Sequence, residues 1–148
     1  MWRRRFPALA LWGFVFVAGC SRVSGFNPVE GKVLWRGKPA AGARVIFHPI
    51  LETPNQLQPS ALVEADGSFH LKTWNPGHRG DPADGAPPGE YRATIDWLDF
   101  SRKASPPKDK LKGYAEDKLK GRYADPKRSS LQVTVKEGEN VLPPFELK

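Results

Sequence analysis

A period of two in the hydrophobic residues is the feature that most restricts what this chain can fold into. Apolar and polar residues alternate in seven short runs, and the clearest run has four apolar residues in one phase: Tyr91, Ala93, Ile95 and Trp97. In a β-strand this alternation directs the two sets of side chains to opposite faces. Strands with one apolar face are typical of antiparallel sheets, and two such sheets bury their apolar faces against each other. The pattern predicts an all-β, seven-stranded antiparallel sandwich.

Turn-forming residues separate the runs. Glycine (14 residues) and proline (15 residues) favour short strands over long helices. Asp66-Gly67 joins two runs and predicts a type I′ hairpin turn, in which both residues have positive φ. Pro143-Pro144 lies in the last run and predicts an edge strand, because proline donates no hydrogen bond to a neighbouring strand. The other six runs are 33–35, 43–47, 61–65, 69–73, 131–135 and 141–147.

The phase of each run predicts its buried face. In the last run the apolar phase contains Val141, Pro143, Phe145 and Leu147. His48 and His70 fall on outward phases, so we expect them to be exposed or at a rim.

The first nineteen residues have the composition of an export signal. Three arginines precede a run from Phe6 to Ala18 of 13 residues without a charge. A membrane-spanning helix needs about 20 apolar residues. The run instead has the length of the hydrophobic region of a secretory signal peptide. We therefore interpret residues 1–19 as a signal peptide.

The one cysteine of the chain follows this segment directly. Val17-Ala18-Gly19-Cys20 resembles the lipobox of bacterial lipoproteins, in which small residues precede the cysteine that becomes the lipidated N-terminus. The resemblance implies two or three acyl chains such as palmitate on Cys20, enough for stable anchoring. Residues 20–28 then form a lipidated tether. The alternative is an ordinary signal peptide with a chance cysteine.

The tether also indicates a location. The resemblance implies a bacterial cell envelope, with the domain facing the periplasm or the exterior. In the lipoproteins that this chain resembles, an aspartate after the cysteine commonly signals retention in the inner membrane. Ser21 stands there, which favours an outer membrane where one exists.

A basic segment interrupts the alternation. Residues 102–128 hold ten basic and four acidic residues, and the unit Asp-Lys-Leu-Lys-Gly occurs there twice, at 109–113 and 117–121. We interpret the segment as a long loop with at most two short helical turns, whose repeated units are dispensable for the core. Such a loop is either solvated or a contact for a polyanion. The candidate polyanion-binding residues are Lys110, Lys112, Lys118, Lys120 and Arg122.

Short motifs at turns and strand starts form a set. They are Gly31-Lys32-Val33, Gly37-Lys38-Pro39, Asp66-Gly67-Ser68-Phe69 and Pro87-Pro88-Gly89-Glu90-Tyr91. The set resembles carboxypeptidase regulatory-like domains. The resemblance implies a transthyretin-like or Ig-like sandwich over residues 29–148, used as a non-catalytic accessory or adhesive module. With the lipobox, the chain is similar to small bacterial lipoproteins of that type.

Motifs for catalysis do not occur in the sequence. It has no Gly-x-Ser-x-Gly element, no nucleophile beside a base and no glycine-rich phosphate loop. The transthyretin-like hydroxyisourate hydrolases have a C-terminal Tyr-Arg-Gly-Ser tail, whereas this chain ends in Phe145-Glu146-Leu147-Lys148. We expect a protein that is not an enzyme, with no catalytic residue, cofactor or metal.

One tryptophan and the loop after it are the candidate ligand site. Trp74 falls on the polar phase beside a loop, whereas Trp35 and Trp97 fall on apolar phases that predict core packing. The loop 75–88 adds His78, Asp81 and Asp84 as candidate cation ligands, and the carboxylate oxygens among them suit calcium. The alternative is that aspartate before glycine or proline is ordinary turn chemistry.

Two functions of different class follow. The first is a lipid-anchored, non-catalytic binding or scaffolding module of the envelope. The second is a small-ligand module, most plausibly for carbohydrate, that uses Trp74 and the 75–88 loop. The partners expected are the membrane, through the N-terminal lipid, and anionic lipid or an acidic envelope polymer. Export excludes nucleic acid, and we expect a monomer.

Overall fold

The structure, a computed structural model, describes residues 25–51, 56–74, 80–99 and 116–148. Across these ranges all regular structure is β, and no helix is present that has the length and hydropathy to cross a membrane. The strands are β1 Val29–Trp35, β2 Lys38–Pro39, β3 Arg44–Pro49, β4 Ser60–Leu62, β5 Ser68–His70, β6 Lys72–Thr73, β7 Ala83–Asp84, β8 Gly89–Asp96, β9 Leu98–Asp99, β10 Glu116–Asp117, β11 Gln132–Val135, β12 Asn140–Val141 and β13 Phe145–Leu147.

The strands form two main sheets and one small ribbon. In the first sheet β1 pairs with β2, β5, β12 and β13. The second sheet has the order β11-β8-β3-β4-β6-β7, and every pair in it is antiparallel. The ribbon consists of β9 and β10. The all-β sandwich predicted from the alternation is confirmed. Each of the seven predicted runs overlaps one strand of three or more residues, and the described residues form six further strands of two residues each.

The first sheet is mixed, whereas the alternation predicts an antiparallel sandwich. β12 and β13 both lie parallel to β1, with Val33 opposite Phe145 and Trp35 opposite Leu147. Parallel neighbours need a long crossover connection. Here nearly the whole second sheet lies between the paired strands in the chain, so it serves as that crossover.

Most of the core comes from the predicted inward phases, although Ala65, on the inward phase of its run, is exposed. Four core residues come from outside the predicted runs: Val29, Ala40, Ala86 and Leu119. Val45 and Ile95 are opposite each other in the central pair β3–β8, and both are fully buried. The rings of Phe69 and Phe145 stack with centroids 5.9 Å apart. Burial of one phase of each strand is what stabilises such a sandwich, because each fully buried aliphatic or aromatic side chain contributes about 1.5–3 kcal/mol.

The predicted buried face of the last run is wrong in its first half. Val141 is 72% exposed and Pro143 is exposed, whereas Phe145 and Leu147 are buried as predicted. The cause is the side chain of Asn140, which turns inward. Its Oδ1 accepts a hydrogen bond from the Lys136 N–H at 2.8 Å and its Nδ2 donates to the Lys136 carbonyl at 2.9 Å. The alternation then restarts after the two prolines.

The predicted two-residue turn at Asp66-Gly67 is also wrong. Only Gly67 has positive φ (88°) there. The Gly67 N–H donates to the Glu64 carbonyl at 3.0 Å, and the Glu64 N–H donates to the Ser68 carbonyl at 2.7 Å. This is the three-residue hairpin loop that ends in a left-handed glycine. Hydrogen bonds from the Ser68 hydroxyl and N–H to the Asp66 carboxylate stabilise the loop and lower the pKa of Asp66.

A type I′ geometry occurs instead between β1 and β2. Arg36 and Gly37 both have positive φ, 51° and 75°, and the flanking residues Trp35 and Lys38 are opposite each other. This turn reverses the chain with two residues, as the right-handed twist of the strands requires.

Candidate functional site

A cleft of about 430 Å³ opens where β1 begins, beside β5, β7 and β12. Three carboxylates and one imidazole line it: Glu30, Asp84, Glu139 and His70. The Nδ1 atom of His70 lies 3.6 Å from a carboxylate oxygen of Glu30. Both side chains are about half exposed, and exposed ion pairs contribute little to stability. Across the described residues, no three His, Cys, Asp or Glu side chains are arranged to hold a metal ion.

Of the predicted ligand residues Trp74, Asp81 and Asp84, Asp84 alone lines this cleft. Asp84 lies in β7 opposite Lys72, whose Nζ is 3.8 Å from its carboxylate, and it faces the cleft. Trp74 follows β6, is 63% exposed and is not part of the cleft lining. Asp81 is exposed in the connection before β7. The fourth predicted residue, His78, lies outside the described residues.

His48 lies on the outer face of the second sheet, on its predicted phase. Its Nε2 is 2.8 Å from the Thr94 hydroxyl, and burial lowers its pKa. Arg92 is its cross-strand neighbour and donates from Nη1 to the Lys127 carbonyl at 3.2 Å. The imidazole is therefore part of a hydrogen-bonded layer over the sheet, whereas His70 is exposed.

The second half of the basic segment is folded against the sandwich. Its centre is the carboxylate of Asp117. Oδ1 accepts hydrogen bonds from the N–H groups of Trp97 and Leu119, both at 2.9 Å, and Oδ2 accepts one from Gly121 at 2.7 Å. A carboxylate that accepts several backbone N–H groups fixes the local chain path, since charge-assisted hydrogen bonds are the stronger ones.

The expectation that both Asp-Lys-Leu-Lys-Gly units are dispensable for the core is wrong for the second unit. Leu119 is only 4% exposed and belongs to the core. Tyr123 packs on the core as well, and its carbonyl accepts the Ile95 N–H at 3.0 Å. The segment has few apolar residues of its own. Its packing on the core therefore depends on contacts with residues that are far away in the sequence. The first unit, with Lys110 and Lys112, lies outside the described residues, as does Cys20.

Two tryptophans and two cations meet at this end of the sandwich. The rings of Trp35 and Trp97 are half-buried and meet edge to face, with centroids 5.8 Å apart. The guanidinium carbon of Arg36 lies 4.8 Å from the centroid of Trp35, and the amine of Lys118 lies 4.6 Å from that of Trp97. Both distances are within the range of cation–π attraction.

Two more cations extend this arrangement. Arg122 Nη1 donates to the Lys148 carbonyl at 2.8 Å, and the Arg36 N–H donates to the neighbouring Leu147 carbonyl at 3.0 Å. Lys120 lies at the tip of the turn that the Asp117 carboxylate stabilises. Its backbone N–H donates a hydrogen bond to the Asp117 carbonyl at 2.9 Å. We define the cation–tryptophan surface by six residues: Trp35, Arg36, Trp97, Lys118, Lys120 and Arg122.

Three of the predicted polyanion-binding residues, Lys118, Lys120 and Arg122, therefore belong to one surface. The other three residues of the surface carry no functional signal in the sequence, because Trp35 and Trp97 fall on phases that predict core packing and Arg36 falls on the polar phase of its run. One feature of the sequence does indicate the turn that carries these cations: the aspartate and the glycine of Asp117-Lys118-Leu119-Lys120-Gly121 are typical turn residues.

Comparison with protein-family models and with curated proteins finds no match to this chain.

Proposed function

We propose that this protein is a lipid-anchored protein of the bacterial cell envelope, whose non-catalytic sandwich is a binding or scaffolding module. The lipobox-like Val17-Ala18-Gly19-Cys20 after an uncharged run supports the anchor. The all-β fold supports the carboxypeptidase regulatory-like, transthyretin-like assignment of the domain.

The observation that carries the proposal is the direction of β1. Asn27 joins the sandwich through two backbone hydrogen bonds with Ala86, of 2.8 and 2.9 Å, so the chain that follows Cys20 is attached to the fold by this residue. β1 then runs away from that point to Trp35, roughly 20 Å further at about 3.3 Å per residue. The anchor and the cation–tryptophan surface are thus at opposite ends of the strand.

This arrangement suits a module that holds a partner above a membrane. The tether between Cys20 and Asn27 reaches at most about 25 Å at 3.3–3.6 Å per residue. The end of the sandwich with Glu30, Asp84 and Glu139 is attached to it, and the cation–tryptophan surface lies at the other end of β1.

The test of the anchor is the fate of Cys20→Ser. We expect wild-type protein in the detergent phase, with a mass increase of a diacylglyceryl group and an acyl chain on Cys20. The Cys20→Ser variant should remain unprocessed or enter the aqueous phase. Ser21→Ala, which leaves the cysteine in place, is the control. An unmodified Cys20 in wild-type membranes would refute the proposal.

A second candidate function is binding of a small carbohydrate at Trp74. The observation that favours it is the 63% exposure of this indole at the end of β6. Aromatic rings with one free face suit the apolar face of a sugar. Isothermal titration with neutral oligosaccharides should show binding that Trp74→Ala removes and Leu62→Ala leaves unchanged, since Leu62 is equally exposed (67%). Equal binding by both variants would contradict it.

A further inference from the structure

We infer that the cation–tryptophan surface is a binding site for an acidic polysaccharide with repeated carboxylate groups. The inference rests on the proposed function, because it names the partner class of the module and the surface that holds it.

The backbone at the two turns of this surface carries the first argument. Two non-glycine residues with positive φ occur in the described part of the chain, and both are cations of this surface: Arg36 (51°) and Lys120 (54°). Each precedes a glycine that also has positive φ. The left-handed conformation costs a residue with a Cβ roughly 1–2 kcal/mol, and glycine or asparagine adopts it more readily. Strained residues of this kind cluster at functional sites.

The second argument is that the cations are held in place. Arg36 and Lys118 each lie over an indole ring, and Arg122 is hydrogen-bonded to the Lys148 carbonyl. Side chains that are already ordered lose less conformational entropy when they bind a ligand. These contacts leave the charges accessible, because all three residues are exposed.

The third argument is the charge balance at the surface. The carboxylate of Asp117 lies among these cations, but three backbone N–H groups occupy its oxygens. Asp99 and Glu116 are opposite each other in the β9–β10 ribbon and border the surface on one side. The four cations outnumber these three carboxylates and are spread over two separate turns, at 36–37 and at 117–121. Charges that are spread in this way fit a chain of anionic groups better than one small anion.

The geometry favours a polymer over the bilayer that holds the anchor. The length of β1 separates the surface by roughly 20 Å from the end of the sandwich at which the tether enters. Surfaces that bind membranes expose their tryptophans at the interface. Here Trp35 and Trp97 pack on the core and on each other, so their rings are not free to enter a bilayer.

The experiment uses the full chain in neutral detergent micelles, with polygalacturonate as the probe. Arg36→Asn and Lys120→Asn are combined, because asparagine tolerates the left-handed backbone and both turns should persist. The matched control is Lys32→Gln with Lys136→Gln, which removes the same charge from exposed positions outside the surface. Circular dichroism of both double variants checks that the fold is kept.

We expect the wild type to bind polygalacturonate more tightly at low salt than at high salt, and not to bind neutral dextran. The Arg36→Asn/Lys120→Asn variant should lose about three- to tenfold in affinity, as for two exposed ion contacts, and the control less than twofold. If the two double variants lose the same affinity for polygalacturonate, the loss follows from the lower net charge alone, and the inference is overturned. Equal binding of polyglutamate, or tighter binding of phosphatidylglycerol vesicles, would overturn it in favour of an acidic peptide or a membrane.

The two proposals fail separately. Binding in micelles is read out whether or not Cys20 is lipidated, so absent binding with a normal lipid mass refutes only the polysaccharide site. An unmodified Cys20 with intact binding refutes only the anchor.

Discussion

The carboxylate of Asp117 accepts a hydrogen bond from the backbone N–H of Trp97, twenty positions earlier in the chain, at 2.9 Å. The return contact is the Lys118 N–H, which donates to the Trp97 carbonyl at 2.8 Å. These bonds join the basic segment to the end of β8, and they place Lys118 over the Trp97 ring.

Asp117→Asn should therefore destabilise the protein. The side-chain amide of asparagine keeps one carbonyl oxygen, which can accept from two of the three N–H groups. Its NH₂ group then faces the Gly121 N–H, and because both groups are donors, that hydrogen bond is lost. We expect a loss of about 1–3 kcal/mol in the free energy of unfolding, measured by urea titration. Asp125→Asn is the control, since Asp125 accepts only the Lys127 N–H in this way (2.8 Å), and it should cost less. Equal effects would show that the Asp117 contacts are not special.

The strain at Arg36 predicts a difference between two substitutions. Arg36→Ala removes the contact with the Trp35 ring but keeps a Cβ residue at a φ of 51°. Arg36→Asn loses the same contact but is better suited to the left-handed conformation. The asparagine variant should be more stable than the alanine variant by about 1 kcal/mol in thermal or urea unfolding. Equal stability would mean that the turn is not strained.

Gly85 is the position at which a side chain should be least tolerated. Its φ is +90°, and a Cβ there would collide with the backbone carbonyl of Asn27. Gly138 has a similar φ of +91°, but a Cβ added there would meet no other atom within 4 Å. A substitution at Gly138 therefore measures the cost of the positive φ without a collision. We expect Gly138→Ala to cost about 1–2 kcal/mol and Gly85→Ala distinctly more, with faster hydrogen exchange at Asn27. Equal costs would contradict the close approach.

The burial of His48 predicts a pH dependence. Because its folded-state pKa is lowered, the unfolded chain binds more protons below about pH 6.5, and stability should fall as pH decreases through that range. His48→Gln should flatten this part of the stability curve. Identical curves for the wild type and His48→Gln would refute the prediction.

The ring packing and the hydroxyl hydrogen bond of Tyr91 lead to a last prediction. Its ring packs on Phe47 with centroids 5.7 Å apart, and its hydroxyl donates to the Pro87 carbonyl at 2.7 Å. Tyr91→Ala should cost about 3–5 kcal/mol, as other aromatic core truncations do. Tyr91→Phe should cost about 1 kcal/mol through the lost hydrogen bond. A larger effect of the phenylalanine variant would place the stabilisation in the hydroxyl rather than in the ring.

The sequence by itself determined the strands and their buried faces. Val45, Phe47, Ala93 and Ile95 are buried on the phase that their alternation predicts, because a period of two is a local property of the β-backbone. The same local rule fails at Asn140 and Asp66, where side chains bond to nearby backbone groups and redirect the chain.

The tertiary structure alone decided which strands became neighbours and what formed at their ends. Nothing in the run 141–147 specifies that β13 lies parallel to β1, since that pairing depends on the whole sheet between them. Trp35, Trp97 and Lys118 are far apart in sequence, and each by itself reads as core or as solvated loop. They form one surface because Asp117 reaches a backbone amide twenty positions away, and such contacts follow from the packed arrangement of the sheets rather than from any local pattern.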